Sequence, residues 1–126
     1  MPLEPGLSAA LDLVVGEDDT AIALHSGSVP VLATPRVLAL GEQAAVEAVA
    51  DSLEPGQTTV GMRVQLDHVA PTAVGGKVTC EATLEKVAGR RLTFTVSVTD
   101  ARGLVAAGRV TRVLVDTDRF MERAHE

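Results

Sequence analysis

Aromatic residues are almost missing from this chain: it has no tryptophan, no tyrosine and only two phenylalanines, Phe94 and Phe120. Its core must therefore be built from valine, leucine and alanine. Cysteine is equally scarce. Cys80 stands alone, so no internal disulfide is possible, and no metal centre is expected. Basic residues are outnumbered, 11 to 17, which leaves a net charge of −6 and a pI near 5.0. That balance argues against nucleic acid or an anionic membrane as the main partner, although a local basic patch can still hold a phosphate. No apolar run approaches bilayer-spanning length, and the opening MPLEPGL has neither the basic start nor the apolar centre of a signal peptide. A cytoplasmic location is the expectation.

What is present is a chain that is 46% hydrophobic and 126 residues long. Residues 1–126 read as one domain, small enough that a partner subunit would usefully extend its core. The stretch from Val31 to Leu53 carries one long amphipathic helix. Thr34 is a suitable N-cap, Pro35 suits the first helical position, and the EPG of Glu54 to Gly56 ends the helix.

The rest of the chain reads mainly as strands. Leu7 to Val15 and Thr20 to Leu24 flank a GEDD turn, and four longer runs with period two follow at Thr58 to Val69, Lys77 to Val87, Leu92 to Thr99 and Leu104 to Val115. Val78, Cys80, Ala82 and Leu84 alternate with polar residues, as do Leu92, Phe94, Val96 and Val98. Each strand thus has one oily and one wet face, as an antiparallel sheet covered on one side requires. AGRR and DARG supply hairpin turns, and DTDRFMERAHE reads as a short terminal helix. The fold class is α+β, with the sheet covered by the single long helix.

One acid breaks the helix pattern. The same-face neighbours of Glu42 are Pro35, Leu38, Ala39, Ala45, Val46 and Val49, all apolar, whereas Arg36, Gln43, Glu47 and Asp51 form a separate wet stripe. An unpaired buried carboxylate costs several kcal/mol. Glu42 must therefore snorkel to the rim, pair with an arginine, or take part in chemistry.

The strand from Val60 offers another partner. Strict alternation puts Val60, Met62, Val64, Leu66 and His68 toward the helix, and Gly61, Arg63, Gln65 and Asp67 away from it. A lone inward histidine is more often a hydrogen-bonded core residue than a catalyst, but an inward histidine and an inward glutamate can satisfy each other. Gly41 inside the helix and Gly61 inside a strand fit close approach by a backbone or a ligand, or simple packing.

These residues carry a resemblance. VLATP at Val31 to Pro35, Glu42 with Ala44 and Ala45, the pair Val60 and Gly61, His68, and GRRLTF at Gly89 to Phe94 together resemble the fluoroacetyl-CoA thioesterase-like family of hotdog-fold proteins. The resemblance implies a hotdog fold, with an antiparallel sheet wrapped around one long central helix. It also implies a homodimer with its acyl-thioester sites at the subunit interface. Position by position it implies Thr34, Glu42 and His68 as catalytic residues and Gly61 as a substrate-binding residue. No cofactor is implied beyond the coenzyme A that belongs to the substrate. The loop HSGSVPVLA has none of the phenylalanines associated with fluoroacetyl specificity, so an acyl-CoA with a small or medium acyl group is the expected substrate.

The chemistry this implies has Glu42 as nucleophile or general base, helped by His68 and Thr34. Arg63, Lys86, Arg90 and Arg91 are the convenient cations for coenzyme A phosphates. In a regular helix Thr34 and Glu42 lie about 12 Å apart, so either the first turn is unwound or the two act from different subunits. A hydratase of the same fold is disfavoured because Asp67 faces away from His68. The alternative from another class is a non-catalytic protein that binds acyl-CoA or a small ligand.

Overall fold

The computed structural model describes residues 1–126. Strand β1 (Ser8–Val14) leads through a turn and a loop to helix α1 (Thr34–Val49), and β2 (Gln57–His68), β3 (Lys77–Ala88), β4 (Arg91–Asp100) and β5 (Gly103–Asp116) follow. A short helix α2 (Thr117–Ala124) ends the chain, N-capped by the Asp116 carboxylate. The five strands form one antiparallel sheet in the order β1-β3-β4-β5-β2, so β1 and β2 are its edges.

Helix α1 lies across one face of that sheet. Val37, Leu40, Ala44, Ala45 and Val49 of the helix are fully or almost fully buried. They meet Val78, Cys80, Ala82 and Leu84 of β3, and Leu92, Phe94, Val96 and Val98 of β4. Small side chains let the helix sit close: a Cβ on Gly41 would lie 3.3 Å from Val96 Cγ1. The hairpins form where the turn residues foretell them. Gly89 takes a φ of 61° between β3 and β4, and Asp100 Oδ1 accepts a 2.8 Å bond from Arg102 N–H between β4 and β5. No helix is long and apolar enough to cross a membrane.

Three local expectations are corrected. The TAIAL run of Thr20 to Leu24 is not a strand, because the Thr20 hydroxyl accepts from Ala23 N–H at 3.2 Å and folds the segment into a turn. Ala33, not Thr34, is the N-cap of α1. Thr34 occupies the first helical position and Pro35 the second, and no side chain caps the end.

The third correction concerns β2. A bulge between Gly61 and Arg63 inserts Met62 as an extra residue, which reverses the alternation at that point. Thr59 and Gly61 face the helix before the bulge, and Val64, Leu66 and His68 face it afterwards. Strict alternation misassigned Val60, Gly61 and Met62, the last of which lies with Arg63 on the outer face, whereas His68 keeps its expected side.

Candidate active site

Glu42 is not left alone in the oily stripe, and its partner is not His68. Its Oε2 accepts a 2.7 Å bond from Arg112 Nη1, with the arginine side chain 9% exposed and the carboxylate 32% exposed. Arg112 is locked from behind, its Nε donating to Thr59 Oγ1 at 2.9 Å and its Nη2 to the Thr59 carbonyl at 2.8 Å. A planar guanidinium held at three points fixes the direction of the carboxylate it meets. Gly61 closes the group: a Cβ there would stand 2.5 Å from Glu42 Oε2. The carboxylate occupies space that any larger residue would fill.

Arg112 escaped the sequence reading. The signal was present, since Arg112 follows Val110 by two in β5 and alternation turns both toward the helix, and both are buried. An inward arginine on one strand and an inward glutamate on the helix were a pair to be matched.

His68 and Thr34 form a second group. Thr34 Oγ1 lies 2.8 Å from His68 Nδ1, joining the first residue of α1 to the last of β2. Because Thr34 does not cap the helix, its hydroxyl is free for this contact. His68 Nε2 is buried and has no hydrogen-bond partner within the chain. Burial pushes the imidazole pKa below its ordinary value of 6.5, with the Ala70 backbone acting in the opposite sense, so the ring is neutral at pH 7.

The two groups are separate within one chain. Helix α1 is regular from Thr34, with Val37 N–H bonded to the Ala33 carbonyl at 3.0 Å, so the first turn is not unwound. About 12 Å of helix therefore lies between Thr34 and Glu42. Of the four residues the sequence singled out, the fold joins Thr34 to His68 and Glu42 to Gly61, and keeps the two pairs apart.

Thr34 and His68 both line a cleft of about 320 Å³. Ala21, Val29, Val31 and Leu32 give it aliphatic walls, and Ser26 adds a hydroxyl. The wall-forming loop is tied to the helix by Asp19, whose Oδ1 accepts from Arg36 Nε at 2.8 Å and whose carbonyl accepts from Ala33 N–H at 2.9 Å. The Gly16 N–H, and then Arg36, hold the Asp19 carboxyl below the usual carboxylate range, so the tie is intact at neutral pH. No three His, Cys, Asp or Glu side chains come together as a metal site.

Residues 15–118 match the model of a family described as fluoroacetyl-CoA-specific thioesterase. The chain belongs to this family. The fluoroacetyl-CoA thioesterase of Streptantibioticus cattleyicolor is 32% identical over 121 residues, which cover 91% of this chain and 87% of that protein. A solved structure of the fluoroacetyl-CoA thioesterase superposes with a TM-score of 0.93 at 30% identity, covering 99% of this chain and 97% of the other. A Thermus thermophilus protein of the thioesterase superfamily superposes at 0.91 with 25% identity, covering 98% and 92%. With these relatives the fold is the hotdog fold and the protein is a thioester hydrolase.

Hydrolysing a thioester takes a base or nucleophile and a means of handling a proton. The structure offers a carboxylate held by Arg112 and an imidazole with an unpartnered ring nitrogen.

Proposed function

We propose that the protein hydrolyses an acyl-CoA with a small or medium aliphatic acyl group, releasing the free acid and coenzyme A. The observation that carries this reading is the cleft itself: aliphatic side chains suited to an acyl chain, beside a histidine bonded to a threonine hydroxyl. Six of its 11 lining residues are hydrophobic, which suits a hydrocarbon chain. The loop before the helix has no phenylalanine, so the substrate of the fluoroacetyl-CoA relative is not carried over.

The reacting carbon of the thioester sits beside His68 and Thr34 in this reading. Glu42 either attacks that carbon, forming an acyl–carboxylate anhydride as the thiolate leaves, or takes a proton from a water that attacks it. In the first route one water then cleaves the anhydride and restores the carboxylate; in the second the attacking water expels the thiolate directly, and the thiolate takes up the proton. The start of α1 offers little to the oxygen on which negative charge develops, because Pro35 has no N–H and the Ala33, Arg36 and Val37 N–H groups are already bonded. His68 passes the proton at Nε2, and Thr34 holds the ring through Nδ1.

Glu42 reaches the cleft from a second subunit. Two observations support this assembly: the regular helix separates Thr34 from Glu42 within one chain, and β2 is an unpaired edge strand while Val46, one helical turn from Glu42, is left 42% exposed. A symmetric dimer that covers this margin brings each Glu42 toward the other chain's cleft.

The test is thiol release from acetyl-, short branched, medium-chain and aryl-acetyl-CoA by the wild type beside Glu42→Gln, His68→Gln and Thr34→Ala. Selective release that falls by about a hundredfold or more in Glu42→Gln is expected if the carboxylate reacts. Binding without release by the wild type would overturn the reading in favour of a ligand-binding protein, and an equally active Glu42→Gln would remove Glu42 from the chemistry.

A further inference from the structure

The face of the sheet turned away from α1 holds a second cavity, of about 270 Å³, with a different chemistry. Arg63, Lys86, Arg91 and Arg109 surround it, and Thr93 and Thr111 lie between them. Four of the 11 lysines and arginines in a chain of net charge −6 thus line one cavity. The one acid paired there is Glu85, whose carboxylate reaches Arg109 Nε at 3.8 Å. Arg90, which sequence alone grouped with these cations, points elsewhere and donates to the Leu114 carbonyl at 3.1 Å.

Strand register explains how the cluster forms. Lys86 pairs with Thr93, Thr93 with Thr111, and Thr111 with Arg63, so a single row across β3, β4, β5 and β2 has two hydroxyls in the middle and a cation at each end. A bulge adjoins each of those cations, one between Leu84 and Lys86 and the other between Gly61 and Arg63. Without them, alternation from Leu84 would turn Lys86 toward the helix, and alternation from Gly61 would do the same to Arg63. Both irregularities of the row therefore move a cation to the outer face.

Concentrating like charges on adjacent strands is destabilising unless an anion lies among them. Ammonium and guanidinium groups around two hydroxyl donors match the oxygens of a phosphate, and the volume accommodates two linked phosphates. We propose that this cavity is a phosphate-binding site for a diphosphate or phosphomonoester group. Two sources share that chemistry. One is the nucleotide end of a coenzyme A substrate, an assignment that rests on the acyl-CoA reading: Arg63 lies two positions along edge strand β2 from Gly61, which touches Glu42 on the opposite face. The other is a free phosphate-bearing metabolite.

Calorimetric titration of the full chain with pyrophosphate tests the site directly. Binding that weakens with added salt, and that is lost by tenfold or more in Arg63→Gln/Lys86→Gln of unchanged melting temperature, is expected. Wild-type protein that does not bind pyrophosphate, or a double variant that binds it equally well, overturns the proposal. The source is read from kcat/KM for an acyl-CoA divided by kcat/KM for the same acyl group on pantetheine, which has no nucleotide. A ratio that drops in the double variant assigns the site to the substrate's own phosphates, and a ratio that holds while pyrophosphate binding is lost assigns it to a separate ligand. Absence of turnover on both thioesters would sink the thioesterase reading and leave the titration to decide the site by itself.

Discussion

His68 is held neutral by its surroundings, and that has consequences that can be measured against pH. Its folded pKa lies below 6.5 because burial disfavours the imidazolium. Between the folded value and 6.5 the unfolded chain binds the proton that the folded chain refuses, so stability rises with pH across that window and is lost as the solution is acidified through it. Above 6.5 the group contributes no pH dependence. The neutral ring is also the form that can accept a proton. The acid limb of kcat/KM should therefore fall below pH 6.5, and His68→Gln should remove that limb together with most of the activity. An acid limb centred above 6.5, or one that persists in His68→Gln, would show that another group titrates. Arg112 illustrates a different relation at this scale. An inward acid was legible in sequence because its neighbours on one helix are at fixed spacing, but its partner lies 70 positions away, and only the folded sheet brings the two together.

Strand β2 shows where periodicity succeeds as a guide and where it stops. The long helix, the five strands of the sheet and both hairpins were legible because their apolar residues recur with the period of one regular element. A bulge disturbs that period by one residue, and in VGMRVQLDH the apolar Val60, Met62 and Val64 keep an apparent alternation straight through it. The physical cue lies in Gly61, whose missing side chain makes room for Glu42 rather than relieving the backbone. Gly61→Ala should test this. Its Cβ would stand 2.5 Å from Glu42 Oε2, so the carboxylate must swing away from Arg112. Misplacing a reacting group by about 1 Å can cost on the order of a hundredfold in rate, so kcat should fall far more than stability does. A Gly61→Ala protein with wild-type kcat would mean that the close approach has no catalytic meaning. The Thr20 segment failed for a related reason, since its alternating TAIAL leaves Ile22 51% and Leu24 40% exposed and a threonine side chain closes a turn instead.

At the scale of the whole molecule, the arrangement of the two residue groups argues for an assembly. Each chain holds Thr34 with His68 at the helix start and Glu42 with Arg112 and Gly61 along its middle, and the straight helix keeps them about 12 Å apart. If every site joins the first group of one subunit to the second group of its partner, a symmetric dimer has two sites, and each subunit serves both. Thr34→Ala and Glu42→Gln homodimers would then both be inactive, because each lacks one component at both sites. Mixing the two variants under conditions of subunit exchange gives a different result. In a mixed dimer one site receives both defects and the other receives neither, so one intact site returns. With random pairing of equal amounts, about half the dimers are mixed and the population regains about a quarter of wild-type activity. Activity that appears on mixing, in step with the formation of mixed dimers, would establish sites shared between chains. A mixture that stays as inactive as its parents, although exchange has taken place, would require Thr34 and Glu42 to act within one chain, and the helix start would have to unwind during turnover to let them meet.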